Sequence, residues 1–262
     1  MRRIIGLLGL VVVVTACGGT VTATASGAPT PAPTPTSSPA PTPTPTRVIT
    51  GPNVSGCFGE EDGEIFTHGD DLPGVITGKG EVGVVITYER LGNVCNWRPL
   101  SDRLVQAGYR VLLYARDSSV TPEDMAVRMG KRLAGKKGVK RLAGKKGVKR
   151  LFFVGGSIGG TVSAPAAARM GDKAAGIVAL SGAIETENAA AITVPLLQIG
   201  TEHDGYGGAK DLQAAHDAAT KAPANEVHVI KGERIHATDL FRSSYGPEVL
   251  DRIVAFMDRH KG

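Results

Sequence analysis

One pentapeptide constrains this chain more than any other feature: Gly155, Ser157 and Gly159 form G-x-S-x-G. It lies between an apolar run, residues 150–155, and a segment of helical spacing, residues 158–170. A serine on a sharp strand-to-helix turn needs small neighbours, because the chain must fold tightly to expose the hydroxyl above a sheet. The same turn places the serine at a helix N-terminus, where the N–H of Ile158 can meet a developing oxyanion. A dinucleotide-binding turn is excluded, because G-x-G-x-x-G would need glycine where Ser157 stands.

The flanking sequence supplies the sheet. Residues 82–88 (VGVVITY) and 110–116 (RVLLYAR) are continuous apolar runs of strand length, as expected for strands covered on both faces. Further strands are expected at residues 176–180, 195–200 and 226–231, after a hairpin with strands at 65–67 and 75–77 turning through Gly69, Asp70 and Asp71. Helices are expected at 99–107, from an N-cap at Thr121 with Pro122 following, at 158–170, 209–219 and 247–260. This alternation predicts an α/β fold: a mostly parallel, twisted sheet with helices on both faces. In such a sheet the functional site lies at the carboxyl ends of the strands.

A serine hydroxyl is a weak nucleophile and needs a base oriented by an acid. Past the strand at 195–200 come Glu202, His203 and Asp204, and past the last strand comes His236. Asp204 and His236 thus fall on the rim that carries Ser157. Glu202 competes with Asp204 for the acid position. The other histidines fit less well: His228 lies inside a strand, His216 and His260 on helices, and His68 in the hairpin.

With these residues in this order the chain resembles the α/β-hydrolase superfamily over about residues 60–262, and in particular its small exported esterase-like and dienelactone-hydrolase-like members. The resemblance implies Ser157 as nucleophile, His236 as general base and Asp204 as the orienting acid. It also implies an oxyanion hole built from the N–H groups of Ile158 and Glu89. The family often has His-Gly where this chain has Tyr88-Glu89. The Glu89 carboxylate would oppose an oxyanion unless paired, with Arg90 as the adjacent cation. Only about a dozen residues separate Leu180 from Pro195, where lids of this family are inserted, so no cap domain is expected. No cofactor and no metal are expected.

The N-terminal region reads as an export address. Arg2 and Arg3 precede an apolar run, residues 4–15, too short to span a bilayer alone. Val14-Thr15-Ala16-Cys17 resembles the lipobox of bacterial lipoproteins, which implies a signal peptide over residues 1–16 and lipidation, such as palmitoylation, at Cys17. Eight of the 16 prolines fall between Pro29 and Pro45, making residues 17–47 an extended, lipid-anchored spacer before a domain at 48–262. Once Cys17 is assigned, Cys57 and Cys95 remain, and export makes a disulfide between them the favoured reading over two thiols. The expected location is the cell envelope, on the outer face of the cytoplasmic membrane or another envelope membrane.

Charge adds one exclusion. The formal charge is +5, yet residues 131–150 hold ten Lys and Arg and no acid, and without them it would be −5. The basicity belongs to a tandem repeat: KRLAGKKGV at 131–139 recurs at 140–148. No aromatic side chain interrupts it, so bases have no stacking platform and nucleic acid is not an expected partner. Residues 130–137 nearly match a phosphate-binding P-loop, but Lys137 stands where a hydroxyl is needed. One copy reads as a helix end and turn, the other as an exposed loop. The expected activity is a serine hydrolase cleaving carboxylic esters, small or surface-exposed, through an acyl-enzyme. The rival reading is a hydrolase fold kept as a binding module for anionic envelope material. The oligomeric state is not legible in the sequence.

Overall fold

The structure is a computed structural model and describes residues 51–135 and 147–262. The signal peptide, the lipidation site, the spacer, residues 136–139 of the first repeat copy with its expected turn, and the second copy up to residue 146 lie outside the described residues.

An eight-stranded sheet organises the domain. After a short antiparallel pair, β1 (Asn53–Val54) and β2 (Phe58–Gly59), come β3 (Gly63–His68), β4 (Leu72–Thr77), β5 (Val82–Thr87) and β6 (Arg110–Tyr114). They are followed by β7 (Arg150–Gly156), β8 (Ala174–Leu180), β9 (Leu196–Thr201) and β10 (Asn225–Ile230). The spatial order is β10-β9-β8-β7-β5-β6-β4-β3. The β3–β4 and β4–β6 pairs are antiparallel and every other pair is parallel. The order reverses around β5, β6 and β7, which opens the crevice where α/β sheets place their sites.

Strand periodicity divides the core between two faces. Val84, Ile86, Phe152 and Val154 point to one face, where they meet α1 (Arg98–Gln106) through Leu100 and Leu104, and α6 (Gly246–His260) through Val249, Ile253 and Phe256. Their alternates Val85, Leu151 and Phe153 point to the other face, against α2 (Pro122–Ala134) and α3 (Ile158–Met170). Successive strand side chains alternate faces, so an unbroken apolar run is what a doubly covered strand requires. α3 presents Gly159, Gly160, Ala164, Ala166 and Ala167, small residues that let it pack closely against β7 and β8.

Most expected boundaries hold within two residues. Thr121 caps α2, its hydroxyl accepting the N–H of Asp124 at 3.1 Å. α2 ends at Ala134, so the first repeat copy begins as a helix end. One expectation changes. The strand expected to reach Arg116 stops at Tyr114, and the Arg116 guanidinium donates instead to the C=O of Arg90 at 2.9 Å. The connector after β8 contains a single helical turn, α4 (Thr186–Ala190), held by fully buried Ala189. No cap domain is inserted there. Next, α5 (Ala209–Ala218) connects β9 to β10 and packs against both.

Cys57 and Cys95 are joined by a disulfide, as expected. The bond ties the β1–β2 segment to a 3-10 turn, Val94–Trp97, just before α1. Arg98 reinforces it, donating to the Cys57 C=O at 2.6 Å and to Asp62 at 2.8 Å. A structural disulfide fits an exported protein. Among the described residues no helix is long and apolar enough to cross a membrane.

Candidate active site

Ser157 occupies the sharp turn between β7 and α3 with φ 54° and ψ −124°. A non-glycine residue at positive φ is strained, and such strain persists only where the surroundings impose it. Here they do so by contact. A Cβ on Gly159 would lie 2.3 Å from the C=O oxygen of Thr87, and one on Gly155 would lie 2.3 Å from the backbone of Gly159. Only glycine permits β5, β7 and α3 to meet this closely. The Ser157 N–H is held by the Leu180 C=O at 2.9 Å, leaving the side chain at the carboxyl rim of the sheet.

The acid and the imidazole meet on the next loops. His236 Nδ1 lies 2.7 Å from Asp204 Oδ2. The Asp204 side chain is 6% exposed and that of His236 36%, so the carboxylate is sheltered and the imidazole is presented outward. A carboxylate only accepts, so Nδ1 is the donor of this bond, and in the neutral ring Nε2 is then the acceptor. Glu202 does not compete: its carboxylate accepts the N–H of Gly232 at 2.8 Å, fastening the end of β9 to the turn after β10. His228 sits on β10 beside Glu248 at 3.4 Å, away from this group.

Among the described residues, hydrogen bonding joins His236 to Asp204 but not to Ser157. Ser157 is brought to the pair through its neighbours. A Cβ on Gly156 would lie 3.1 Å from Ala237 Cβ, which places the residues beside Ser157 and His236 against each other. Ala237, at φ 44°, donates its N–H to the hydroxyl of fully buried Ser181 at 2.9 Å. Ser181, itself at φ 46°, follows β8. Thus three loops, after β7, β8 and β10, converge on one point.

The loop after β5 closes the other side. The N–H of Gly92 donates to the C=O of Glu89 at 3.1 Å, forming a tight turn. The Glu89 carboxylate is not taken up by Arg90. Its Oε1 accepts the N–H of Thr238 at 2.9 Å, in the first turn of the 3-10 helix Ala237–Arg242. It also sits 3.0 Å from where a Cβ of Gly156 would be, so it lies beside the elbow. Trp97, 1% exposed, borders the same spot and stacks edge-on to Phe241 at 5.7 Å. Sequence reasoning missed Thr238, Ser181 and Tyr206. Tyr206 alone left a signal, as an aromatic two residues past Asp204. Among the described residues no cluster of His, Cys, Asp or Glu could hold a metal ion.

The sequence model of the dienelactone hydrolase family matches residues 73–237, more than half of the chain. A search of curated proteins gives no match. Among solved structures, the chain is similar to an esterase of Pyrococcus furiosus (TM-score 0.62, 16% identity, covering 83% of this chain and 100% of that one). It is also similar to a monoacylglycerol lipase of Paleococcus ferrophilus (TM-score 0.59, 15% identity, 72% and 99%). A dienelactone hydrolase of Anabaena variabilis gives a TM-score of 0.58 at 16% identity, over 76% and 99%. At these identities the solved structures establish the fold, and the family match carries the assignment. The β5 to β10 arrangement, the elbow and the short β8–β9 connection are those of an α/β-hydrolase without a cap, and the chain belongs to the dienelactone hydrolase family of ester-cleaving hydrolases.

Proposed function

We propose that this chain is a serine hydrolase that cleaves carboxylic esters through an acyl-enzyme, anchored at the cell envelope by a lipid on Cys17. The observation that carries the reading is the 2.7 Å contact between His236 and a sheltered Asp204, on a loop packed against the turn that holds Ser157 at positive φ. The proposed steps follow from that layout. His236 Nε2 takes the Ser157 hydroxyl proton while Oγ bonds to the ester carbonyl carbon. The C–O bond to the alcohol breaks, and His236 returns the proton to the leaving oxygen. Water then repeats the sequence on the acyl group, releasing the acid and restoring Ser157. Asp204 holds the imidazole in the required tautomer and stabilises it when charged.

The oxyanion is proposed to lie between the N–H of Ile158, at the start of α3, and that of Glu89, at the turn after β5. The Thr238 N–H supplies part of the solvation of the Glu89 carboxylate, whose oxygen stays beside the Ser157 turn. With only α4 between β8 and β9, the site suits small esters or esters displayed on a surface. Export and anchoring rest on the lipobox-like sequence and the Pro/Thr-rich spacer, with the disulfide as support.

The test is covalent labelling of the folded protein with a fluorophosphonate, with mass spectrometry to locate the adduct. Labelling at Ser157, lost in Ser157→Ala together with turnover of short p-nitrophenyl esters, is the expected result. Folded protein that neither labels nor turns over these esters refutes the reading.

A further inference from the structure

Among the described residues two large apolar side chains are exposed, Leu91 at 96% and Tyr206 at 39%. Both stand on the rim, on opposite sides of Ser157: Leu91 follows β5 and Tyr206 follows β9. Leu91 projects freely from the tip of its turn. Tyr206 is held in three ways. Its N–H donates to Asp204 Oδ1 at 3.1 Å. Its ring lies edge-on to the His236 imidazole, with centroids 6.4 Å apart and planes at 71°. Its hydroxyl meets Thr161 Oγ1 at 2.9 Å. Thr161 Oγ1 already donates to the Ser157 C=O at 3.3 Å, so Tyr206 is the donor in that pair. One exposed aromatic ring is therefore tied to the acid, the imidazole and the serine turn together.

This inference rests on the ester-hydrolase reading. In that chemistry His236 must hand its proton to the leaving oxygen, so that oxygen comes within hydrogen-bond reach of Nε2. The group it carries then runs past the imidazole. Tyr206 is the exposed ring against that imidazole, and a fixed aromatic face binds another ring with little entropy cost. We infer that Tyr206 is the wall of the leaving-alcohol subsite and makes the enzyme prefer esters of arylmethyl alcohols over esters of small alkyl alcohols.

The experiment compares benzyl acetate with methyl acetate, which share an acyl group and have leaving alcohols of similar acidity. Wild type, Tyr206→Phe and Tyr206→Ala are each measured for kcat/KM and for fluorophosphonate labelling. Wild type should favour the benzyl ester by about tenfold or more, the scale of an apolar subsite contact. Tyr206→Phe keeps the ring without the Thr161 bond and should keep the preference. Tyr206→Ala should abolish it, the benzyl-to-methyl ratio of kcat/KM falling to about one whatever loss the two esters share. A labelled wild type without preference, or a preference that survives in Tyr206→Ala, overturns this inference alone. Equal loss of both substrates in Tyr206→Ala also overturns it, because the ring would then act only by positioning. Wild type that neither labels nor hydrolyses either ester refutes the hydrolase reading, and this inference with it.

Discussion

Glu89 Oε1 accepts the backbone N–H of Thr238 at 2.9 Å, joining residues 149 positions apart in the chain. The bond locks the turn after β5 to the loop that carries His236. Hydrogen bonds to a charged acceptor contribute about 1.5–3 kcal/mol. Glu89→Ala should therefore lower unfolding free energy by about that much and reduce kcat more than it raises KM, since the two halves of the site lose register. Glu89→Gln keeps an acceptor oxygen and should lose less stability. Urea melts alongside steady-state kinetics decide it; equal stability of Glu89→Ala and wild type would contradict the locking role.

Ser157 separates strain from chemistry. Glycine tolerates positive φ, so Ser157→Gly should raise stability by about 1 kcal/mol, whereas Ser157→Ala retains the strained backbone and should not. Both should lose at least about 10⁴-fold in kcat. Thermal melts and ester turnover on the two variants check both halves of the prediction.

Asp204→Asn leaves shape nearly intact but replaces an obligate acceptor. The amide can present its NH₂ to Nδ1 and impose the wrong imidazole tautomer. A fall in kcat of about 10³–10⁴-fold is expected with KM little changed. A loss below tenfold would show that His236 does not depend on Asp204.

The disulfide acts on a loop beside the site. It closes a span of 38 positions, for which chain entropy gives about 4 kcal/mol at most. Replacing Cys57 and Cys95 together by serine should cost about 2–4 kcal/mol. It should also lower kcat, because Cys95 belongs to the turn that leads into Trp97. Thermal melts and turnover with and without a reductant test this in the native chain as well.

Acid should weaken the fold through His68. Burial holds its pKa below the ordinary imidazole value; Asp117 opposes this and Arg132 adds to it. Its ring packs edge-on to Tyr114 at 6.0 Å. A depressed folded pKa means that the unfolded chain binds the proton more readily. The stabilisation is full above the unfolded value of about 6.5 and is lost as pH falls from there through the folded value. His68→Phe should flatten the decline in unfolding free energy below pH 6.5. His228, shifted down mainly by its own burial, should preserve part of the slope. Urea titrations across that range read out the difference.

Much of the fold was legible because this sheet is covered twice. The centres of β5 and β7 are apolar at consecutive positions, since Val84 and Val85, or Phe152 and Phe153, face opposite cores. Gly155 and Gly159 showed the elbow because no other residue fits those contacts. Asp204 and His236 were legible as polar residues just past apolar strands. What escaped has a common cause. Thr238 acts through its backbone N–H and Ser181 through a common hydroxyl, so neither carries a residue-type signature. The β1–β2 pair is too short to show periodicity and depends on the disulfide and Arg98. The fate of the Glu89 carboxylate was set by a partner far away in the chain, which Arg90's adjacency concealed.

Among the described residues, the connection between β8 and β9 holds a single helical turn and no inserted domain that could close over Ser157. An acylated serine there would meet bulk solvent and whatever else reaches the surface. Alcohols and amines would then compete with water as acyl acceptors, in proportion to their concentration and nucleophilicity. On the proposed acyl-enzyme route, added methanol or glycerol should divert part of the product from free acid to a new ester, so an uncapped rim would make transacylation a side of that reaction.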